Sequence, residues 1–247
     1  MISLDNEFEK TTQLLFGKGI SNMDVFSTWL TEYSFPGKEI KTAIDKKPFY
    51  IVPDYFLLRN IPINRIISDS ELSKLPDIKL DFGRITLSSI LRSIADIGYY
   101  NLDVIEGQNN DVENGIVYMN VYNVKSVCDV FESKHVGYSQ YIYGGDHLFG
   151  CYRLFFSQFS IHCYNSTNIT SCFECDSCKE CTWCYFCHNC QGCHDCLFCS
   201  NARNKRYAIF NQEVGKEKYL EIKKMLLEEV ITSLEKNKRF DKSIFDF

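Results

Sequence analysis

No cysteine precedes Cys128 and no proline follows Pro76 in this chain of 247 residues, which carries thirteen cysteines and five prolines. That segregation divides the chain into regions with different tasks. No apolar run approaches the roughly 18 to 20 residues that a membrane span needs, so no membrane partner is expected. No stretch of five or more basic residues occurs and the formal net charge is −5, so nucleic acid is not expected as a partner either. The opening residues, Met1 to Glu7, lack a basic stretch followed by an apolar one. The expectation is therefore no secretory leader, a reducing cytoplasmic setting and free thiols. With 45% hydrophobic residues the chain has enough apolar material for a core, and disorder is excluded.

Residues 1–115 read as an α+β lead-in or capping domain ending in the polar stretch Asn109 to Gly115, whose Asn-Gly is a turn signal. Ser21-Asn22-Met23-Asp24 resembles a capping box ahead of Phe26, Trp29 and Leu30. Leu87, Ile90, Leu91, Ile94 and Ile97 share one helical face over 86–97, with Gly98 as the stop. Phe49 to Val52 and Tyr55 to Leu58 read as short strands around Pro53-Asp54. At the other end, residues 212–247 hold a helix from Lys216 to about Lys236, apolar on one side and rich in Glu and Lys on the other.

Between them, 116–211, lies the strongest signal. From Cys172 to Cys199 every third residue is cysteine: Cys172, Cys175, Cys178, Cys181, Cys184, Cys187, Cys190, Cys193, Cys196 and Cys199. The same register continues upstream to Val121 through seventeen positions, Cys151 and Cys163 among them, that are all small or aliphatic. If such residues make up roughly half of an average chain, seventeen in succession arise by chance about once in 10⁵. An α-helix turns 100° per residue, so a three-residue stripe would circle it within about 18 residues. A 3₁₀-helix is seldom that long, collagen needs glycine at every third place, and a flat strand alternates with period two. What remains is a mainly β architecture, a narrow triplet-period β-solenoid with an inward cysteine ladder and nine or twelve residues per coil, whose ends the lead-in and the C-terminal α-helix are placed to cap.

Two readings of the cysteines stand side by side. Repeated Cys-x-x-Cys can grip Zn²⁺ or an iron–sulfur cluster, with His188 and His194 as substitute ligands, and the ten cysteines from Cys172 to Cys199 would then be the metal set of a polythiolate module. Ten evenly spaced thiols, however, show no grouping into fours, and the register upstream is filled by Val, Ile, Leu and Ser, which cannot replace a thiolate at a metal. They can replace a buried thiol, which packs as a small hydrophobe. The expected ladder is therefore structural, with no cofactor. No acid–base pair, phosphate loop or nucleophile motif is present, so no catalytic residue is assigned and no enzyme is expected. His135, His147 and His162 fall in outward registers and read as surface histidines, and Cys128, outside the register, reads as partly buried. Phe173, Trp183, Tyr185, Phe186, Leu197 and Phe198 also face outward, either as contact surface or packed against the lead-in.

Cys163-Tyr164-Asn165-Ser166, the cysteine triplets, and the segment Arg203 to Gln212 followed by Lys216-Glu217-Lys218-Tyr219 resemble an uncharacterised cysteine-rich family of metagenomic bacteria and their phages. Its members end in a similar Asn-Lys-x-Tyr-x-Ile-Phe-Asn motif. The likeness covers about residues 117–225, and this chain departs from it in having no cysteine upstream of Cys128, where relatives commonly carry a zinc-ribbon-like portion. Some relatives carry a CoA-transferase label, which no residue here supports. The resemblance implies a bacterial or phage-associated protein of unknown activity. Tyr207, Ile209 and Phe210 read as the wedge that closes the last coil, Asn204 and Asn211 as turn or capping residues, and Arg203, Lys205 and Arg206 as a short solvated basic cluster. The functional expectation is a structural or protein-interaction component, in the cytoplasm or in a virion, with protein partners.

Overall fold

A computed structural model describes residues 3–55, 58–77, 85–153, 155 and 158–246. Helix α1 (Asp5–Phe16) buries Phe8, Thr11, Thr12, Leu15 and Phe16, one helical face, and ends at Gly17 in the left-handed region. The capping box expected at 21–24 does not form. Asn22 is left-handed, a 3₁₀ turn covers Met23–Phe26, and α2 (Ser27–Leu30) is a single turn. Tertiary partners win over the local motif: the Asp24 carboxylate accepts from Lys125 Nζ at 2.6 Å and from the Tyr138 hydroxyl at 2.9 Å, while the Met23 N–H donates to Asp5 at 2.8 Å.

Strand β1 (Lys38–Lys41) pairs antiparallel with β2 (Pro48–Ile51), which matches the first expected strand. The second does not form in its described part. The Tyr55 N–H closes a turn onto the Val52 carbonyl, and Phe56 and Leu57 lie outside the described residues. Strand β3 (Ile66–Ile67) pairs parallel with β4 (Tyr100–Asn101). Helix α3 (Leu87–Ile97) has a Thr86–Ser89 capping box and stops at Gly98, as its spacing requires, but Leu87 is 74% exposed and no residue of α3 is buried.

The remaining strands form a separate sheet, the solenoid, of about eight coils. It runs through β5 (Ile105–Glu106), β6 (Asn110–Met119), β7 (Tyr122–Gly137), β8 (Gln140–Gly145) and β9 (Leu148–Phe149). It continues through β10 (Phe159–Cys163), β11 (Ser171–Cys175), β12 (Trp183–Cys187), β13 (His194–Leu197), β14 (Arg206–Ile209) and β15 (Gln212–Glu213). Successive coils pair parallel and in register with an offset of twelve residues: Ser160 lies beside Cys172, Cys172 beside Cys184, Cys184 beside Cys196 and Cys196 beside Ala208. The coil is therefore twelve residues, four sides of three. Among the described strands of the solenoid, β15 alone runs antiparallel, folding back on β14 at the last coil.

The corners explain the period. The residue before each inward one sits repeatedly at positive φ, as at Asn114, Asn120, Asp129, Asn189, Asp195 and Asn201, or is glycine, as at Gly150 and Gly192. A left-handed residue turns the backbone sharply after two extended ones, and Asn and Asp tolerate that conformation best among residues with a side chain. Many corners nevertheless hold bulkier residues, Phe186 and Phe198 among them, so the inter-coil ladder holds conformations that the local sequence disfavours. The ladder is regular: the N–H groups of Tyr152, Tyr164, Asp176 and His188 donate to the carbonyls of Cys163, Cys175, Cys187 and Cys199 at 2.9–3.0 Å. The Asn109–Gly115 stretch supplies such corners, since β6 already pairs with β7 from Asn110 onward.

Two cores result. The inner one fills the bore with the triplet register, Val121 to Ala208, extended upstream by Val112 and Tyr118; Leu154 and Ser157 of that register lie outside the described residues. The outer one covers a single wall, whose residues recur every twelve: Phe149, Ile161, Phe173, Tyr185, Leu197 and Ile209. Helices α1 and α2 and the C-terminal helix α4 (Lys216–Asn237) close over it. Helix α4 leaves the last coil and runs back across this wall. Tyr219 lies against Tyr207, the Lys223 ammonium lies over the Trp183 and Tyr185 rings at 4.7 and 4.2 Å, and the segment beyond reaches Glu174. Phe173, Tyr185 and Leu197 thus point outward from the bore yet are buried, which selects packing over open contact surface for them. A second wall is partly covered by the β1–β2 hairpin region, where Phe49, Ile51 and Tyr55 meet Ile116 and Cys128.

Two sequence readings need correction. His162 is fully buried rather than a surface histidine, because α2 lies on its corner and the Trp29 carbonyl accepts from its Nε2 at 3.0 Å. Cys128 is also fully buried, under the hairpin region, and burial pushes its thiol well above the ordinary range.

Candidate functional site

The chemistry of this chain is concentrated in the bore. Because the register repeats every twelve residues, its inward side chains form four columns along the axis. One column holds Cys151, Cys163, Cys175, Cys187 and Cys199, and a second holds Cys172, Cys184 and Cys196. Cys178 and Cys190 belong to a third, and Cys181 and Cys193 to the fourth. All twelve thiols are 0–2% exposed and all are free.

Nine of the twelve donate to a backbone carbonyl. Cys175 Sγ donates to the Phe173 carbonyl at 3.5 Å and the Cys184 carbonyl at 3.2 Å, and Cys187 repeats this with Tyr185 and Cys196 at 3.4 and 3.5 Å. Cys193 and Cys199 make the same pair of contacts, two residues back and nine ahead. Upstream, Ser133, Ser139 and Ser166 donate to the carbonyl two residues back at 2.6–2.9 Å. Cysteine and serine therefore do one job in this register: a side chain small enough for a narrow bore that also hands a proton to a carbonyl at the corner. Cys187→Ser is accordingly expected to change the unfolding free energy by less than about 1 kcal/mol, while Cys187→Leu overpacks the bore and costs about 1–3 kcal/mol in denaturant titration.

The sulfurs also touch one another. Cys175 is within hydrogen-bonding reach of Cys163, Cys172, Cys178 and Cys187, and Cys187 reaches Cys175, Cys184, Cys190 and Cys199. Burial pushes the Cys163 and Cys178 thiols well above the usual range and Cys172 up to about 11. Elsewhere the sign reverses: against burial, hydrogen bonds from neighbouring S–H groups pull the Cys175, Cys181 and Cys193 thiols down. The S–H groups of Cys187 and Cys196, together with the Asn211 N–H, which reaches Cys199 Sγ at 3.4 Å, pull the Cys199 thiol down.

Among the described residues, no group of three or more His, Cys, Asp and Glu side chains is arranged to hold a metal ion. His188 and His194, named as substitute ligands, stand on outer walls. His188 Nδ1 lies 2.8 Å from the Asp176 carboxylate, and His194 Nδ1 lies 3.0 Å from Thr182 Oγ1 one coil back. Of the three residues expected at the cap, Tyr207 packs on Tyr219, Ile209 is buried on the helix-covered wall, and Phe210 is 70% exposed, stacked on Phe198 at 5.6 Å. Asn211 does close the ladder, its side chain bonding the backbone N–H and carbonyl of Ser200 at 3.0 and 2.7 Å. Arg203 and Arg206 are exposed, and Arg206 lies over the Tyr207 ring.

The remaining feature is a row of side chains on another wall, two of them exposed. In the N-terminal coils, Met119 lies beside Phe131 and Phe131 beside Tyr143, and Phe155 follows at the same twelve-residue step. Tyr143 and Phe155 are 49% and 42% exposed. In the sequence this row is marked only by the twelve-residue recurrence of Met119, Phe131, Tyr143 and Phe155, a weaker signal than the triplet register of the bore.

Bore, corners and walls together define a class: a four-walled parallel β-solenoid with twelve-residue coils and a thiol-filled interior. No family model, curated protein or solved structure matches the chain.

Proposed function

We propose that this chain is a non-enzymatic structural or protein-interaction component, serving in a phage virion or its assembly, that offers an exposed row of its solenoid wall to a protein partner. The observation that carries the reading is the in-register row Met119, Phe131 and Tyr143, with Phe155 one twelve-residue step further on, of which Tyr143 and Phe155 are exposed. Side chains fixed on a parallel ladder are spaced about 4.8 Å apart and lose little freedom on binding, and exposed aromatics of this kind are the usual anchors of an interface. The resemblance of Asn204 to Asn211 to the phage-associated family supports the setting.

The test is co-sedimentation with purified particles from a phage whose genome encodes the chain. Wild type is expected to remain with the particles. Tyr143→Ala/Phe155→Ala is expected to fall at least tenfold in particle-bound amount, with an unchanged unfolding midpoint. Equal retention of both proteins, or loss of wild type from the particles, defeats the reading.

A further inference from the structure

We propose that the column Cys151, Cys163, Cys175, Cys187 and Cys199 is a disulfide relay: a peroxide oxidises it at the last coil, and the resulting disulfide moves along the axis by thiol–disulfide exchange between coils. This goes beyond the role of the outer wall and does not depend on it.

The geometry comes from the ladder. Cys163 and Cys175 are register partners, as are Cys175 and Cys187, and the adjacent pairing of His188 with Ser200 carries the same offset on to Cys187 and Cys199. Register partners in a sheet lie about 4.8 Å apart, within the roughly 4.4–6.8 Å that separates the Cα atoms of a disulfide. Their Cβ atoms, held near the same spacing, must close slightly toward the disulfide mean of about 3.8 Å. A disulfide formed there carries strain, and strained disulfides are the ones that exchange. The sulfur contacts run unbroken along the column, from Cys151 to Cys163, Cys175, Cys187 and Cys199.

The column also has a distinguishable end. Beyond the last coil the register holds Ala202, Lys205, Ala208 and Asn211 instead of cysteine, and Cys199 is the most exposed thiol of the ladder, at 2%. There the Asn211 N–H and two neighbouring S–H groups favour the thiolate, the form that attacks a peroxide. The Cys199 thiolate takes one oxygen from hydrogen peroxide, giving a sulfenic acid and hydroxide. The Cys187 thiol then displaces the sulfenic hydroxyl as water, forming the 187–199 disulfide. Two thiols have lost two electrons and one peroxide has become two waters once the protons are returned. Attack by Cys175 on the Cys187 sulfur forms 175–187 and releases Cys199 as thiolate, which takes the proton that Cys175 gives up. That second step needs no further oxidant.

The experiment treats the folded, reduced full-length chain with about one equivalent of hydrogen peroxide. It quenches at intervals with acid and a maleimide in denaturant and maps linkages in chymotryptic peptides. The expected result is a disulfide between cysteines twelve apart, first at 187–199 and later at 175–187 and 163–175. In Cys175→Ser the linkage is expected to stay at 187–199, and in Cys199→Ser the first disulfide is expected to form at least tenfold more slowly. Linkages between cysteines three apart, linkages between chains, or thiols that stay reduced until denaturant is added each overturn the proposal.

Discussion

Replacing Phe173 by alanine is expected to lower the unfolding free energy by about 3–5 kcal/mol, the range for removing a fully buried aromatic ring. The ring is fully buried at the centre of the helix-covered wall. It lies edge-on to Phe16 of α1 at 4.9 Å and to the corner ring of Phe186 at 5.2 Å, and it meets Trp29, His162 and Phe240 at 6.2–6.5 Å. These partners come from α1, from α2, from two solenoid coils and from the segment after α4, so they cannot collapse together into the space left. A void lined by five rings forfeits their contacts outright. Phe210 is the control: also aromatic and also on the solenoid, but 70% exposed, so Phe210→Ala is expected to shift stability by no more than about 0.5 kcal/mol. Guanidinium titration of the two variants beside wild type checks this. Equal midpoints for Phe173→Ala and Phe210→Ala would mean that the helices rest on the wall without depending on it.

The same wall shows what the sequence disclosed and what it hid. The bore was legible because a narrow interior accepts only small or aliphatic side chains, so Val121, Val124, Ser133, Cys151 and Cys172 betray one register whatever the coil length. The coil length was hidden at that level, since nine and twelve residues preserve the triplet equally. It was recorded elsewhere, in columns that repeat every twelve residues, such as Phe149, Ile161, Phe173, Tyr185, Leu197 and Ile209. The left-handed corners are the other missed signal. Asn114 before Gly115 looks like an ordinary turn between domains, whereas in the structure it is a corner in a series, as Asn189 is before Cys190. The capping motif at 21–24 misled because Asp24 is bound by Lys125 and Tyr138, partners about a hundred residues away that no local pattern contains. Tertiary pairing also explains His162, whose burial depends on where α2 lands.

Glu174→Ala is expected to cost about 3–5 kcal/mol, because it breaks a buried, hydrogen-bonded His–Glu pair at the point where three parts of the chain meet. The two side chains are 0% and 1% exposed, and His162 Nδ1 lies 2.6 Å from Glu174 Oε1. The other ring nitrogen of His162 faces the Trp29 carbonyl, which can only accept, so Nε2 carries a proton. The second Glu174 oxygen accepts from the Ser243 hydroxyl and the Ile244 N–H, both at 3.1 Å, which fixes the C-terminal segment to the solenoid. Truncation therefore strands an imidazole, a hydroxyl and a backbone N–H in a dry site, and each unsatisfied group costs about 1–3 kcal/mol. Glu174→Gln retains one carbonyl oxygen but turns an amide toward groups that already donate, so an intermediate loss is expected. The double variant His162→Leu/Glu174→Leu removes both members and is expected to be more stable than Glu174→Ala, as replaced buried pairs often are. Denaturant titration of the series gives the energies, and hydrogen exchange at the Ile244 amide reports the segment itself, which should lose protection in Glu174→Ala. A loss below about 1 kcal/mol with Ile244 still protected would show that the C-terminal segment is held by Phe240 and Ile244 packing alone and that the buried pair is incidental to it.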